Sequence, residues 1–513
     1  MGTPDLLAGT TVTARPTRQG AWDIRASFAD YDPAIVAEQV QVDLSNGATS
    51  VWLQTGAGGI AAEDLAVALA PVLLEAAPVV LGGDLASAQA FVDLVAERDV
   101  RPAAGTNLGA DPIGAALRVG GVADLDELDA VVALAREAGV GAIVVDGTAV
   151  NDQGGTDVQE LGWVAAVGAA YLRQLGDDAL GLIEFRLAAT DEQFPTIAKF
   201  RAFRQLWARV LELSGLSGPT SVHAVTSRPM MSAFDPYVNM LRTCVAAFAA
   251  GVGGADAVTV LPFDAPLGLP DAFSRRIARN TSSLLIAESH VATVADPAGG
   301  AYGVEKLTAE LAAAAWVELG TIDSTGGAVG AVSDMRQRIA AVAARRDSDV
   351  ATRKRPLTGL TEFPNLGEIQ LARRAYADGA LDVRRYGHEF EELRRQQVAE
   401  PVFLATMGPV AAHTARATFA ANLLAAGGID TVSAGATSSV DHVVAAAAQH
   451  RVVCLCGTDK AYAEWGTDLV AALRTAGATR VIVAGKADLG QDDSCAIGVD
   501  ALDFLRRTRE ALS

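Results

Sequence analysis

The sequence predicts an α/β protein in which a (β/α)8 TIM barrel is followed by a smaller, flavodoxin-like doubly wound domain. From Ser50 onward, short apolar runs alternate with longer stretches of helical period, which is typical of parallel βα units. Eight such runs precede residue 300, and the alternation resumes on a smaller scale after residue 400. A chain of 513 residues is long enough for both domains.

The barrel strands are predicted where apolar runs are separated by segments long enough for a crossover helix. They are Ser50–Gln54, Pro78–Leu81, Arg101–Thr106, Ala142–Asp146, Leu180–Leu187, Ser221–Thr226, Ala257–Leu261 and Val291–Ala295. This assignment gives residues 36–346 to the barrel and leaves residues 1–35 as an N-terminal arm.

A charged region separates the barrel from the second domain. Residues 347–398 are predicted to form a helical linker that Pro356 and Pro364 interrupt. In residues 399–513, helices alternate with short apolar runs, an order that indicates a flavodoxin-like doubly wound sheet. The predicted strands of this sheet are Val402–Thr406, Thr431–Ala434, Arg451–Cys456 and Arg480–Ala484.

The composition argues against several functional classes. The sequence has 41 basic and 61 acidic residues. The resulting net charge of −20 disfavours binding to nucleic acid or to an anionic membrane. We see no secretory signal and no apolar stretch of transmembrane length. Four cysteines without zinc-site spacing predict neither a disulfide framework nor a metal site. The sequence therefore predicts a cytoplasmic protein.

Polar residues at predicted strand ends are the first candidates for chemistry. His223, Thr226 and Ser227 lie at the end of the sixth predicted strand, on the face where barrel enzymes place their active sites. A second polar cluster, rich in turn residues, spans residues 278–302. Spacing alone fits either a ligand site or hydrogen bonding to loop backbone groups.

Four segments resemble the cobalamin-dependent methylmalonyl-CoA mutase family, and the resemblance covers the chain from about Trp22 to the C-terminus. They are Phe200–Arg209, Met240–Thr243, Phe273–Thr281 and Asp296–Glu305. The resemblance implies a barrel that threads coenzyme A along its axis, followed by a flavodoxin-like cobalamin domain. This organisation agrees with the one predicted from the alternation of elements.

Departures from the family pattern fall in the substrate pocket. Glu184 stands where catalytic members carry a substrate-contacting His, and we expect its negative charge to repel an acyl carboxylate. Thr259 and Ser282 lie in segments from which a His and a Gln of the family are missing. Positions 13 to 17 lack the family's substrate-facing Tyr.

A further motif is retained only in part. In the family pattern His-Ser-Gln-Thr-Ser-Gly, this sequence keeps His223, Thr226 and Ser227, but Val225 replaces the Gln and Arg228 replaces the final Gly. We interpret the set as a vestigial substrate pocket without a catalytic residue. Its members are Glu184, His223, Thr226, Ser227, Thr259 and Ser282.

The cobalamin motif is also incomplete. Catalytic members have Asp-x-His-x-x-Gly, in which the His ligates cobalt, the Asp orients it and the Gly leaves room for the corrin tail. The aligned positions here are Ala411, His413 and Arg416. We therefore predict a degenerate cobalamin motif in which His413 is a surface or cap histidine.

A retained scaffold with both sites lost resembles the small, or β, subunit of the heterodimeric members of this family. The resemblance implies a homologous large (α) subunit that holds adenosylcobalamin and interconverts (R)-methylmalonyl-CoA and succinyl-CoA. This chain would then be a subunit of an isomerase without cofactor or active site of its own. Two alternatives stay open: a self-sufficient cobalamin-dependent mutase of another acyl-CoA, and an assembly or protection factor for a mutase.

Overall fold

The computed structural model describes residues 15–378, 381–396 and 398–513. The chain divides into two compact units. The first contains residues up to 231, 239–343 and 371–385, and the second contains residues 232–238, 344–370 and 386–513. Among the described residues, no helix is long and apolar enough to cross a membrane.

The first unit is a closed barrel of eight parallel strands arranged in chain order, as predicted. Pairing of the first strand with the eighth closes it. The strands are β1 (Asp23–Phe28), β2 (Ser50–Leu53), β3 (Val79–Val80), β4 (Asn107–Ala110), β5 (Gly141–Asp146), β6 (Ile183–Ala189), β7 (Ser221–Thr226) and β8 (Ala257–Thr259).

The barrel prediction missed the first strand and assigned the last one to the wrong segment. Strand β1 lies inside the segment predicted as an arm, so the barrel begins at Asp23 rather than at residue 36. Val291–Ala295, predicted as the eighth strand, starts with a 3-10 turn over Val291–Thr293. Because β1 already pairs with β8, this segment is not needed for closure. Asp23 and Arg25 interrupt the apolar character of β1, which concealed it.

The third predicted strand, Arg101–Thr106, is displaced toward the C-terminus. Residues 103–106 form a turn in which the Thr106 N–H donates to the Ala103 carbonyl (3.2 Å). Gly105 has φ +93°, a left-handed conformation that glycine adopts without strain. The strand therefore begins only at Asn107.

Helices follow most of the barrel strands. Several begin at side chains that cap them, such as Asp32, which accepts from two backbone N–H groups, and Thr156, which forms a capping box with Gln159. Up to residue 351 the described helices are α1 (Pro33–Ser45), α2 (Leu65–Ala68), α3 (Leu85–Arg98), α4 (Pro112–Val119), α5 (Leu128–Ala138), α6 (Thr148–Asp152), α7 (Asp157–Leu175), α8 (Gln193–Leu213), α9 (Val238–Val252), α10 (Ala272–Ser283), α11 (Tyr302–Ser324), α12 (Gly327–Gly330) and α13 (Val332–Ala351).

The predicted linker at residues 347–398 is helical only near its ends. Helix α13 ends at Ala351, and the next helix, α14 (His388–Arg395), lies near the end of the segment. The described residues between them contain no helix. Pro356 and Pro364 lack the N–H that a helix interior requires, which explains the irregular backbone.

The second unit contains a parallel sheet of five strands in the order β10-β9-β11-β12-β13. The strands are β9 (Val402–Thr406), β10 (Thr431–Ser433), β11 (Val452–Cys456), β12 (Arg480–Ala484) and β13 (Asp493–Cys495). The remaining helices are α15 (Val410–Ala426), α16 (Val440–Ala447), α17 (Asp459–Ala461), α18 (Thr467–Thr475) and α19 (Ala501–Leu512).

Both faces of the central strands of this sheet are buried. On β11, Cys454 and Cys456 pack in the core that includes α15 and α19, whereas Val453 and Leu455 pack in the core that includes α16 and α18. Helices on both faces bury β9 and β11 completely, which explains the near-continuous apolar runs from which these two strands were predicted.

Candidate functional site

Five of the six predicted pocket residues lie on three neighbouring barrel strands or directly after them. Glu184 is on β6, His223 and Thr226 are on β7, Ser227 follows β7 and Thr259 is on β8. All five are at least nine-tenths buried.

His223 is held at both ring nitrogens. The Arg186 Nε donates to Nδ1 (3.1 Å), and Nε2 lies 2.8 Å from the Thr259 hydroxyl, which itself donates to the Arg25 carbonyl (2.8 Å). This arrangement requires a neutral ring with its proton on Nε2. Burial, together with the charges of Arg25 and Arg186, holds the pKa of His223 well below its usual range. His223 therefore carries no mobile proton at neutral pH.

The negative charge of Glu184 is paired within the barrel. The Arg25 Nη1 donates to the Glu184 Oε1 at 2.6 Å, and both side chains are at least nine-tenths buried. The Arg25 Nε also donates to Asp23 and Ser50 (3.2 Å each). Arg25 lies on β1, so the cation that neutralises Glu184 comes from the segment predicted as an arm.

Arg186 occupies the interior beside this pair. Its guanidinium carbon lies 3.9 Å from the centroid of the Trp52 ring, and its Nη1 lies 3.3 Å from the Asp146 Oδ2. The His223 ring meets the same tryptophan edge-on at 5.6 Å. Trp52 and Arg186 are each 5% exposed, so they fill this level of the barrel interior.

Two further arginines extend the network toward the carboxyl ends of the strands. Arg118 contacts both Asp146 (3.1 Å) and Asp152 (2.8 Å), and Arg228 contacts Asp152 (3.1 Å). Burial opposes ionisation of Asp146, but the charges of Arg118 and Arg186 outweigh it and hold the pKa of that carboxyl below its usual value. Arg228 thus has a carboxylate partner at the end of helix α6.

The interior network is balanced in charge, with four cations and four anions. The cations are Arg25, Arg118, Arg186 and Arg228, and the anions are Asp23, Asp146, Asp152 and Glu184. Buried charges are tolerated when they are paired and hydrogen-bonded to one another. Each of these charges therefore has a partner of opposite sign, although the Arg186 Nη2 and the Asp152 Oδ1 have no hydrogen-bond partner among the described residues.

Thr226 and Ser227 serve the local structure. The Leu261 N–H donates to the Thr226 hydroxyl (2.9 Å), and the Ser227 hydroxyl donates to the Asn151 amide oxygen (2.8 Å). These bonds hold the loops that follow β7 and β8. The two bonds agree with the second interpretation of the sequence analysis, in which these hydroxyls form hydrogen bonds with loop residues and do not bind a ligand.

Ser282 does not join the other predicted pocket residues. It lies on helix α10, where its hydroxyl accepts from the Trp22 indole N–H (3.2 Å). The structure therefore places Ser282 on a helix outside the barrel strands, apart from the other five residues.

Some residues of the network escaped the sequence analysis. Arg25, Trp52, Arg118 and Asp146 were not singled out. The available signal was the presence of charged residues within or at the ends of otherwise apolar strands.

In the second unit, Ala411, His413 and Arg416 all lie on α15. His413 is 5% exposed and its Nδ1 has no hydrogen-bond partner among the described residues, so the prediction of a surface or cap histidine is wrong. Position 413 precedes the buried Ala420 by two helical turns and therefore shares its inward face. No group of three or more His, Cys, Asp and Glu in the described chain could hold a metal ion.

Arg416 fills the space near the carboxyl end of β11. Its Nη1 donates to the Gly457 carbonyl (2.5 Å), its Nη2 pairs with Asp459, and its guanidinium carbon lies 4.8 Å from the Tyr462 ring centroid. A Cβ added at Gly485 would lie 3.4 Å from the Arg416 guanidinium carbon. The position that the family pattern keeps small is therefore filled, and these residues do not fit a cobalamin tail.

Comparison with known proteins supports the family resemblance. The sequence model of the family described as "Methylmalonyl-CoA mutase" matches residues 133–445. The "Methylmalonyl-CoA mutase small subunit" of Streptomyces virginiae is 45% identical, over 96% of this chain and 85% of that protein.

Two more distant relatives carry similar names. The "Probable methylmalonyl-CoA mutase small subunit" of Mycobacterium tuberculosis (strain ATCC 25618 / H37Rv) is 44% identical, over 91% of this chain and 79% of that protein. The "Methylmalonyl-CoA mutase small subunit" of Propionibacterium freudenreichii subsp. shermanii is 36% identical, over 100% of this chain and 86% of that protein. The similarity thus extends across both units.

Proposed function

This chain belongs to the methylmalonyl-CoA mutase family, and from that premise we propose that it is the small, non-catalytic subunit of a cytoplasmic, heterodimeric methylmalonyl-CoA mutase. Its partner is a homologous large subunit, which binds the substrate and adenosylcobalamin and interconverts (R)-methylmalonyl-CoA and succinyl-CoA. The names of the relatives as small subunits support the existence of such a partner.

The single observation that carries the proposal is the closed barrel interior. Glu184, the residue at the position of a substrate-contacting His, is bound by Arg25, and Arg186 is stacked on Trp52. Binding an acyl carboxylate there would require breaking buried ion pairs without replacing them. Such a loss costs about 3–5 kcal/mol for each uncompensated charge.

The second unit supports the same conclusion. Its strand order, 2-1-3-4-5 within the sheet, favours a flavodoxin-like domain. We propose that this domain is a degenerate cobalamin-binding domain that holds no cofactor, because Arg416 occupies the space at the carboxyl end of β11. The radical chemistry that adenosylcobalamin supplies then belongs to the large subunit alone.

The residues of this chain accordingly contribute structure rather than chemistry. The neutral His223 and the paired Glu184 hold the barrel in one arrangement, and neither accepts or releases a proton in the reaction. We propose that the conserved scaffold acts through a stable interface with the large subunit. Obligate interfaces of this kind bury more than roughly 2,000 Å².

The test is a mutase assay on this chain, on the large subunit and on the co-expressed pair, each supplied with adenosylcobalamin and (R)-methylmalonyl-CoA. We expect succinyl-CoA from the pair and none from this chain alone. A His413→Gln variant of this chain should leave the turnover of the pair unchanged, because His413 ligates no cobalt.

Turnover by this chain alone would overturn the proposal in favour of a self-sufficient mutase. Elution of the two chains as separate species, with full activity in the large subunit, would instead favour a transient assembly or protection factor. Size-exclusion chromatography with light scattering distinguishes this outcome from a stable heterodimer.

A further inference from the structure

A cavity of about 400 Å³ lies at the mouth of the barrel, where β1, β2, β7 and β8 end. Phe28 and Trp52 line it from the strand ends, Arg228 from the loop after β7, and Tyr376 from a later segment of the same unit. Pockets of this size take small organic ligands.

Much of the cavity wall is apolar and rigid. Between Leu261 and Pro270, three prolines and three leucines contribute to it. Prolines carry no backbone N–H and have a fixed φ, so this part of the wall offers few donors and changes little on binding. A ligand with an apolar body would replace water there at a small cost in protein ordering.

Two of the charged groups in the wall are paired with partners beside the cavity. Arg275 is bound to Asp43, and Asp30 is 2.8 Å from Arg374. Asp382 and Arg385 contribute one charge of each sign. The remaining charged group of the wall is Arg228, whose Nη1 contacts the Asp152 carboxylate at 3.1 Å.

Arg228 shares its carboxylate partner with a second arginine. Arg118 and Arg228 share Asp152, while Arg118 and Arg186 share Asp146, so three guanidinium groups share two carboxylates. The Arg186 Nη2 is buried without a hydrogen-bond partner among the described residues. Glu184 and Asp23 complete the charge balance of the network, and Arg228 is its member at the cavity.

We infer that this cavity binds a small organic carboxylate with an apolar body. The carboxylate pairs with Arg228, in surroundings where burial strengthens an ion pair, and the apolar body lies against Trp52 and the proline wall. The ligand adds a second carboxylate beside Arg228, whose Asp152 partner is shared with Arg118. The inference does not rest on the proposed function, because it needs neither coenzyme A nor the large subunit.

Isothermal titration calorimetry on the full chain tests this inference with 3-phenylpropanoate and its uncharged counterpart, 3-phenylpropanamide. We expect the acid to bind at least tenfold more tightly than the amide. Binding of the acid should also change the tryptophan fluorescence, and a Trp52→Phe variant should lose that change because Trp52 lines the cavity.

Two variants locate the site. Arg228→Met should abolish the preference for the acid, whereas Arg209→Met, which removes a half-exposed arginine on α8, should retain it. Leu267→Trp should weaken both ligands at least tenfold by filling the cavity, with Arg228 left in place. Circular dichroism melting curves confirm that each variant is folded.

Three results would overturn the inference. They are absence of binding heat for the acid at 10 mM, equal affinities for acid and amide, and unchanged binding in Leu267→Trp. If Arg228→Met does not fold, the comparison of acid with amide and the Leu267→Trp variant still decide the question.

Discussion

Arg25 and Glu184 are the residues on which the closed interior depends most directly. They lie 2.6 Å apart on β1 and β6, and each is at least nine-tenths buried. A buried ion pair gains little over an apolar pair of similar volume, because both charges lose their hydration. Loss of one partner is different, since the other charge is left buried and unpaired.

The first prediction follows from this asymmetry. Arg25→Met should lower the free energy of unfolding by about 3–5 kcal/mol, and the double variant Arg25→Met/Glu184→Met should recover most of that loss. Urea denaturation of the two variants and the wild type measures the difference. An exposed control, Arg209→Met, should change stability by less than about 1 kcal/mol.

A cost below about 1 kcal/mol for Arg25→Met alone would contradict the ion pair as described.

The second prediction concerns the buried, neutral His223. Its folded pKa is depressed by burial and by Arg25 and Arg186, whereas the unfolded value is about 6.5. Below pH 6.5 the unfolded chain binds a proton that the folded chain does not. Stability therefore falls as the pH drops from about 7 to 5, by up to about 1.4 kcal/mol per unit from this residue.

Other buried groups change the stability in the opposite direction as the pH falls. The contribution of His223 must therefore be measured as the difference between the wild type and a variant without this histidine. Burial raises the pKa of Glu160 to about 7 and that of Asp111 to about 6. Because these carboxyls bind protons more tightly in the folded chain than in the unfolded one, they stabilise the fold as the pH falls. Unfolding curves of wild type and His223→Gln between pH 5 and 7 isolate the histidine. Equal slopes for the two proteins would contradict a depressed pKa at His223.

For single residues, the sequence predicted which residues lie near one another better than it predicted which side chains pair. Glu184, His223 and Thr259 were grouped from aligned motifs, and they do lie on neighbouring strands. Arg25, the cation that neutralises Glu184, could not be assigned in advance because the pairing depends on β1 closing the barrel 159 residues away in the chain. Ser282 was grouped wrongly because motif position does not distinguish a strand from a helix.

Among the elements, β1 shows why barrel closure was predicted with one wrong strand. Charges at Asp23 and Arg25 hide β1 from a search for apolar runs, whereas Val291–Ala295 has the composition of a strand. Local composition favours the second segment, but pairing of β1 with β2 and β8 decides the outcome. The same limit explains why the three-residue β13, with Asp493 and Ser494, was not predicted.

The third prediction uses this contrast. Ala26→Pro should lower the free energy of unfolding by about 3 kcal/mol or more, because proline removes an N–H from a strand paired on both sides. Val294→Lys should change it by less than about 0.5 kcal/mol, because Val294 is 57% exposed. Thermal and urea unfolding of both variants would contradict the strand assignment if Val294→Lys proved the more damaging.

For the whole molecule, two sites that catalytic relatives keep open are filled within one chain. Arg186 and Trp52 fill the barrel interior, and Arg416 fills the space beside β11. At position 416 the bulky cation stands where the family pattern has a Gly. These filled sites agree with the proposed role as a supporting subunit, in which the large subunit of the proposed heterodimer carries the chemistry.

The cobalamin content of the purified heterodimer tests this account most directly. Cobalt analysis, combined with the absorbance of bound adenosylcobalamin and the mass from light scattering, gives the number of cofactors for each pair of chains. The account predicts one cobalamin for each heterodimer, unchanged when this chain carries His413→Gln. Two cobalamins for each heterodimer, falling to one in that variant, would contradict it.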